Sequence, residues 1–332
     1  VGRDITIGVA GATGALGSEL LNVLDAAPWQ PDRVTAIART STSTPFVEYG
    51  EQQLPVEDVA LTSWADLDGL IVALPRDAAG PIVAAASEHV PVVDCSGSQL
   101  TDLEVPLVLP WLDTAPLEAP RARDVVSVPS GAGSLLAALI GPLARGGWSG
   151  TASATVLLPA STWGRDGVDE LSKQVVALFN QSTPPRRVFD SGLAFDVLPQ
   201  VGATAATGWS AAEVRVATEL ARLVGVRVDV TLLAVPVFGG VSATVRLDGT
   251  KVDAEVAAQL LAASGIEVAE GALRDLPRPR RIDGAVLPQA ARVRDGMDGN
   301  SVHLWGAMDN LRATASAAVG AMAALLQDRN SE

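Results

Sequence analysis

The chain has 332 residues, 48% hydrophobic and 19% charged, with a net charge of −14 at pH 7; this is too long for one simple core, suits two domains, and excludes a disordered chain. Its acidity, with lysine only at Lys173 and Lys251, leaves no basic footprint, so no nucleic-acid partner is expected. The single cysteine, Cys95, excludes an internal disulfide, and the two histidines, His89 and His303, are far apart without Cys or carboxylate at ligand spacing, so no metal site is expected.

In chain order, "ITIGVA" at 5–10 predicts a strand that ends in "GATGALG" and continues into a helix over "SELLNVL" at 18–24. The buried-strand pattern returns at 33–39, 69–75 and 90–97, with helix-compatible "AAGPIVAAASEH" at 78–89 between the last two. Strands alternating with helices imply parallel crossovers and a doubly wound α/β sheet of Rossmann type. From Thr151 the texture changes to longer strands at 151–159, 226–238 and 241–249, with a clear helix at 165–181, which predicts an α+β second domain. "NQSTPPRR" at 180–187 reads as an exposed loop, and the Ala-rich stretch 309–328 as a helix with small residues suited to close packing on the first domain. The apolar runs are too short and interrupted for a membrane span, and the N-terminus enters a strand without a targeting segment, so the cytoplasm is the expected location.

Gly11, Gly14 and Gly17 form G-x-x-G-x-x-G between a strand and a helix, a turn that brings backbone N–H groups and a helix N-terminus against a pyrophosphate. The same glycines also serve strand–helix packing in a turn that binds nothing. The candidate nucleotide residues are Gly11, Thr13, Gly14, Ala15, Leu16, Gly17, Arg39 and Thr40. An acidic residue that would hold a ribose hydroxyl is missing after the second strand; "ARTSTS" offers Arg39, Thr40 and Ser41 instead. A guanidinium there suits a 2′-phosphate and favours NADP over NAD, and an arginine at a strand end is also ordinary solvent exposure. Both readings stand on the residues alone.

The segments "GATGALGSELL", "VVDCSGSQLTDLEVPLVLP", "SVPSGAGSLLAALIGPL", "GRDGVDELSKQ", "LAFDVLPQVG", "VPVFGGVSATV" and "HLWGAMDNLRA" occur in the order and spacing of the aspartate-semialdehyde dehydrogenase family, which the chain resembles over nearly its whole length. The resemblance implies a dinucleotide-binding domain over 1–130, completed by a C-terminal helix at 309–329, a substrate and dimerisation domain over 131–308, and a homodimer formed through the second domain's sheet. Family members reduce an acyl phosphate to an aldehyde: a cysteine thiolate attacks the carbonyl carbon, NADPH delivers hydride to the thioester, and a histidine handles protons.

The matching positions here lack that chemistry. The family nucleophile falls on Gly131, the histidine on Val241, the substrate-carboxylate arginine on Ala234, a phosphate-binding arginine on Leu100, and a glutamine on Leu158. Five polar functions map onto apolar residues, which implies a catalytically inactive relative that binds without turning over. Arg215 and Glu219 still match charged family positions on a helix, where such charges are also ordinary surface features. Cys95 borders the family pocket and is either a relocated nucleophile or a small buried hydrophobe. His303 matches a position beside a tryptophan and suits a structural imidazole, while Ser130 and Ser134 lie near the vacated site without a base. Two alternatives are an NADP-dependent oxidoreductase, transferring hydride without a covalent intermediate to a less anionic substrate, and a true semialdehyde dehydrogenase working through unrecognised replacements. The small-molecule ligand is left unidentified.

Overall fold

The structure, a computed structural model, describes residues 4–39, 44–118, 123–250 and 252–329. The chain divides into two compact units, 1–130 with 314–332, and 131–313.

The first unit is built on β1 (Thr6–Ala10), α1 (Ala15–Asp25), β2 (Arg33–Ala38), β3 (Phe46–Tyr49), β4 (Gln52–Asp58), β5 (Gly69–Val72), α2 (Arg76–Ala86), β6 (Val92–Asp94), α3 (Ala115–Glu118) and β7 (Val125–Ser127). Among the described residues they form one seven-stranded sheet in the order β3-β4-β2-β1-β5-β6-β7, parallel except for β3 against β4. The chain leaves β1 toward β2, then crosses to β5 on the other side, so the strand order reverses between β1 and β5. Ile7, Val9, Ile37, Leu70, Ile71 and Val72 are fully buried along these central strands, as near-continuous Val/Ile/Leu runs require when both faces are covered.

The expected strands shorten: 69–75 becomes Gly69–Val72, because Pro75 caps a helix that opens at Arg76, earlier than expected. The strand at 90–97 ends at Asp94, whose fully buried carboxylate accepts from Ser96 N and Oγ, Ser98 Oγ, Gln99 N and Ser127 Oγ and turns the chain. The β3–β4 hairpin is an addition to the sequence reading; its strands are short and half polar, and its two-residue turn is Gly50-Glu51.

The turn after β1 is set by backbone proximity. Gly17, in the first turn of α1, lies so close to the preceding strand end that a Cβ there would stand 2.1 Å from Gly11 O and 2.7 Å from Ala12 Cα. A Cβ on Gly14 would come no nearer than 3.2 Å to Gly11 O.

The second unit comprises α4 (Gly131–Arg145), β8 (Ser149–Leu158), α5 (Gly164–Phe179), α6 (Ala211–Val224), β9 (Val228–Ala234), β10 (Val241–Thr250), α7 (Ala254–Ala263), β11 (Glu267–Ala269), β12 (Gln289–Asp295), β13 (Ser301–Met308) and the first residues of α8 (Asn310–Arg329). Its described residues form a six-stranded mixed sheet, β11-β12-β13-β10-β8-β9. One face packs under α4, α6 and α7 and carries the apolar alternates Ala152, Ala154, Val156, Val230, Leu232, Ala243, Val245 and Leu304. The opposite alternates, including Ser153, Thr155, Asp229, Thr231, Thr244, Arg246, His303 and Trp305, are intermediate or exposed. The Ala-rich C-terminal segment is helical from Asn310, and its Met322 sulfur would meet a Cβ on Gly69 at 2.5 Å, a closeness that glycine on β5 permits within the first unit.

The loop after α5 is irregular, with residues 180–183 exposed as expected, but two buried side chains hold its continuation. Glu170 accepts N–H bonds from Arg187, Val188 and Phe189; Gln174 accepts from Leu193 and Ala194 and donates to Pro185 O.

Two outcomes follow from these contacts. Gly17→Ala is expected to lower stability by about 2–3 kcal/mol, because backbone must move, and Gly14→Ala by less than about 1 kcal/mol; urea unfolding of both variants measures the contrast. For Glu170, burial alone would raise the pKa, but the N–H groups of Phe189, Val188 and Arg187 and the charge of Arg187 outweigh it and hold the carboxyl below its ordinary value. Its stabilisation is therefore complete above the unfolded pKa of about 4.3 and is lost as pH falls through the lower folded value. Glu170→Gln should be less stable than wild type at neutral pH, with the gap closing below about pH 4 in thermal unfolding followed from pH 7 to 3.

Candidate functional site

In the first unit, the crevice marked by the strand-order reversal lies at the C-terminal ends of β1 and β5. Gly11 and Gly17 are buried beneath it, while Thr13, Gly14, Ala15 and Leu16 are half-buried at the surface. Gly14 is the N-cap residue of α1 and offers no side-chain cap, so the helix's first N–H groups have no competing internal acceptor from that residue. Arg39 follows the end of β2 and is exposed; Thr40 lies outside the described residues. The "ALPRDAA" segment faces the same strand end: Ala73 N donates to Ala10 O, and Pro75 and Arg76 are exposed where α2 begins. Leu100 is 3% exposed, and Cys95 is buried with its N–H donated to Val72 O, within the turn that Asp94 organises. These placements give Cys95 the surroundings of a packing residue.

In the second unit, the positions singled out from the sequence converge. Leu158 ends β8 and pairs with Ala234 at the end of β9; Val241 opens β10 one step beyond the Ser242–Leu157 pair. All three are 5% exposed or less and belong to the helix-covered face. Gly131 is the first residue of α4, and the site beside it is filled by Asn310. A Cβ at position 131 would stand 2.7 Å from Asn310 Cβ and 3.2 Å from its Cα. Asn310 is itself held, its Oδ1 accepting from Ser161 Oγ at 3.2 Å and from Gly240 N at 3.1 Å. One side chain thus links the N-terminus of α4, the segment after β8 and the entry to β10.

Glu219 departs from the surface role that the sequence left open. It is 1% exposed, receives the Arg215 Nε at 2.8 Å, and lies where a Cβ on Gly133 would meet its Oε2 at 2.1 Å. A carboxylate against the first turn of α4 is favoured by the helix dipole. Ser130 is half-buried, and Ser134 is buried with its hydroxyl unpaired. His303 is on the sheet's open face, its Nε2 3.4 Å from Arg246 Nη1, and Arg246 bonds Asp248 and Asp298. It lies on the opposite face of the sheet from Val241.

Two features went unremarked in the sequence. Asn310 was in view within "WGAMDNLRA", and its signal is an amide two residues after the end of a buried strand. The other is "RDLPRPRR" at 274–281, four arginines in eight residues, a local exception to the acidic composition that corrects the reading of a chain without basic clustering. Among the described residues no helix is long and apolar enough to cross a membrane, and no group of three or more His, Cys, Asp or Glu is arranged to hold a metal ion.

Comparison with known proteins agrees with this architecture. Residues 6–119 match the model "Semialdehyde dehydrogenase, NAD binding domain" and residues 140–313 match "Semialdehyde dehydrogenase, dimerisation domain". A protein named USG-1 protein homolog from Pseudomonas aeruginosa is 31% identical over 325 residues, covering 93% of this chain and 94% of the relative. An aspartate-semialdehyde dehydrogenase from Rickettsia bellii is 26% identical over 319 residues, with 93% and 94% covered. Among solved structures, a probable aspartate-semialdehyde dehydrogenase from Pseudomonas aeruginosa superposes with a TM-score of 0.87 at 29% identity over 99% of both chains. Aspartate semialdehyde dehydrogenase II from Vibrio cholerae reaches 0.92 at 24% identity over 98% of this chain and 99% of the other, a likeness of fold. With both domain types matched in order, the glycine turn inside the first matched range and Asn310 inside the second, the chain belongs to the semialdehyde dehydrogenase family.

Proposed function

We propose that this protein is a catalytically inactive member of its family that binds a nicotinamide dinucleotide, NADP in preference to NAD, and acts in the cytoplasm as a homodimeric binding protein. The observation that carries the reading is the contact at Gly131. The family nucleophile's position has no side chain, and Asn310, through its Cβ and Cα, is close enough that a Cβ there would have to displace it. Val241, at the histidine position, has no proton to transfer, and the row Val241, Leu158, Ala234 offers an anionic substrate no charge. Arg215 and Glu219 neutralise each other within that region.

The nucleotide site fits its expected occupant better. The uncapped first turn of α1 and the close packing at Gly17 leave backbone N–H groups open to a pyrophosphate. Gly11, Thr13, Gly14, Ala15, Leu16 and Gly17 would hold it, with Arg39 toward the 2′-phosphate; Thr40, the remaining candidate, lies outside the described residues. Bound there, the cofactor would supply hydride chemistry; the chain's own contribution is to bind and orient it. The homodimer would use the helix-free face of the second sheet, where Thr231, Thr155, Thr244 and Trp305 form a cross-strand row. A second reading, hydride transfer without a covalent intermediate to a less anionic carbonyl compound, is favoured by the buried apolar row beside Asn310 and needs a proton donor supplied by water.

The deciding assay presents purified protein with aspartate semialdehyde, phosphate and NADP, and separately with NADPH and small aldehydes or ketones. No turnover is expected in either arm. Turnover of the semialdehyde that disappears in Cys95→Ser would overturn the inactive reading, and NADPH oxidation in the second arm would establish the reductase. Gly131→Cys alone should restore no activity and cost about 1–3 kcal/mol of stability from overpacking. Arg39→Ala should weaken NADPH binding roughly tenfold while leaving NADH unchanged, as one charge-assisted phosphate contact implies; tryptophan fluorescence titration reads both.

A further inference from the structure

Beside the β10 entry, a cleft of about 900 Å³ is lined by Pro236, Val237, Phe238, Gly239, Arg278, Pro279, Arg280 and Asp283, all within the second unit. Its lining leaves out Gly131, Asn310 and the apolar row but adjoins them, since a Cβ on Gly240, which precedes Val241, would stand 2.8 Å from Pro279 Cα. We propose that this cleft is a binding site for a small aromatic anion, a carboxylate or phosphate monoester, whose charge is taken by Arg278 and Arg280 and whose ring lies against Phe238 and Pro279.

Both walls are fixed. Phe238 is 51% exposed, large for an aromatic side chain, yet its backbone is held: Phe238 O accepts from Ser161 N and Val237 O from Ala160 N. On the other wall, the Trp305 indole donates to Pro277 O at 2.9 Å, Ile282 is 1% exposed, and Gly284 N donates to Asp309 Oδ2. Between these anchors Pro279–Arg281 forms a single 3₁₀ turn. The turn therefore presents its arginines from a set position.

The charge argument follows. Arg281 is engaged by Asp275 and Arg274 O, and Arg274 lies near Asp275. Arg278 Nη2 donates to Arg274 O at 3.2 Å, but neither Arg278 nor Arg280 forms an ion pair among the described residues, although Asp283 lines the same cleft. Two guanidiniums against one carboxylate, in a chain of net charge −14, make a local reversal of sign that selects an anion. Arginine's planar fork suits carboxylate and phosphate oxygens. The opposite wall of proline, valine and phenylalanine rewards a ring that bare phosphate lacks. The volume is that of a small-molecule site, which favours a small anion over a peptide.

The test uses the intact protein with phenyl phosphate, benzoate, inorganic phosphate and benzyl alcohol as probes, followed by saturation-transfer NMR and calorimetry at fixed ionic strength. One or both aromatic anions should bind, and which of the two binds more tightly identifies the charged group. Inorganic phosphate and benzyl alcohol should each bind at least tenfold more weakly than the better aromatic anion. The double variant Arg278→Gln, Arg280→Gln should weaken that binding tenfold or more, and Phe238→Ser by about fivefold, with near-UV circular dichroism unchanged. Absence of aromatic-anion binding to wild type, or binding unaltered by the double variant, would overturn the site; equal affinity for inorganic phosphate would overturn the role of the apolar wall. Should the arginine variant lose its folded spectrum, Arg280→Lys decides: retained folding with weakened binding supports the proposal, and unchanged binding refutes it.

Discussion

The junction around Asn310 is the constraint on which the second unit's site region depends. Its amide oxygen ties Ser161 and Gly240, which lie 79 residues apart in sequence, and its Cβ stands where residue 131 would need room for its own. Removing this buried acceptor would leave the Gly240 N–H and the Ser161 hydroxyl without the bonds that position them, and desolvated polar groups without partners are costly. One side chain thereby holds three chain segments together.

Electrostatics tell a parallel story. The helix-covered side of the second sheet is almost entirely apolar at the level of Val241, and Glu219, the buried carboxylate described near α4, comes with its own arginine and a helix terminus. Its charge is compensated before any ligand arrives. By contrast, the arginines at 278 and 280 carry charge that no ion pair among the described residues neutralises, on a turn whose ends are anchored by an indole and a carboxylate. Within the second unit, charge left without an ion pair thus lies on a loop beside the entry to β10, outside the buried apolar row itself.

Much of this was legible in the residues. β-branched runs followed by glycine turns gave away the parallel sheet, because strands covered on both faces must be apolar throughout. The identities of Gly131 and Val241, one without a side chain and one a hydrocarbon, were visible directly. What periodicity could not convey was distance: that Gly131 lies against Asn310, or that Glu219 is buried, depends on packing between segments far apart in sequence. The β3–β4 hairpin escaped because its residues alternate polar and apolar over few positions, and Arg278 and Arg280 escaped because an average charge conceals a local one. The ends of the short strands shifted for local reasons, a proline cap at 75 and the buried Asp94 carboxylate.

The segment after α5 has no regular secondary structure, yet the amides of Arg187, Val188, Phe189, Leu193 and Ala194 all end on side-chain oxygens of one helix. Two residues one helical turn apart thereby act as a surrogate neighbouring strand. Hydrogen exchange along this stretch would track the opening of α5 rather than loop motion, so a region that looks like loose surface would exchange as slowly as the helix that anchors it.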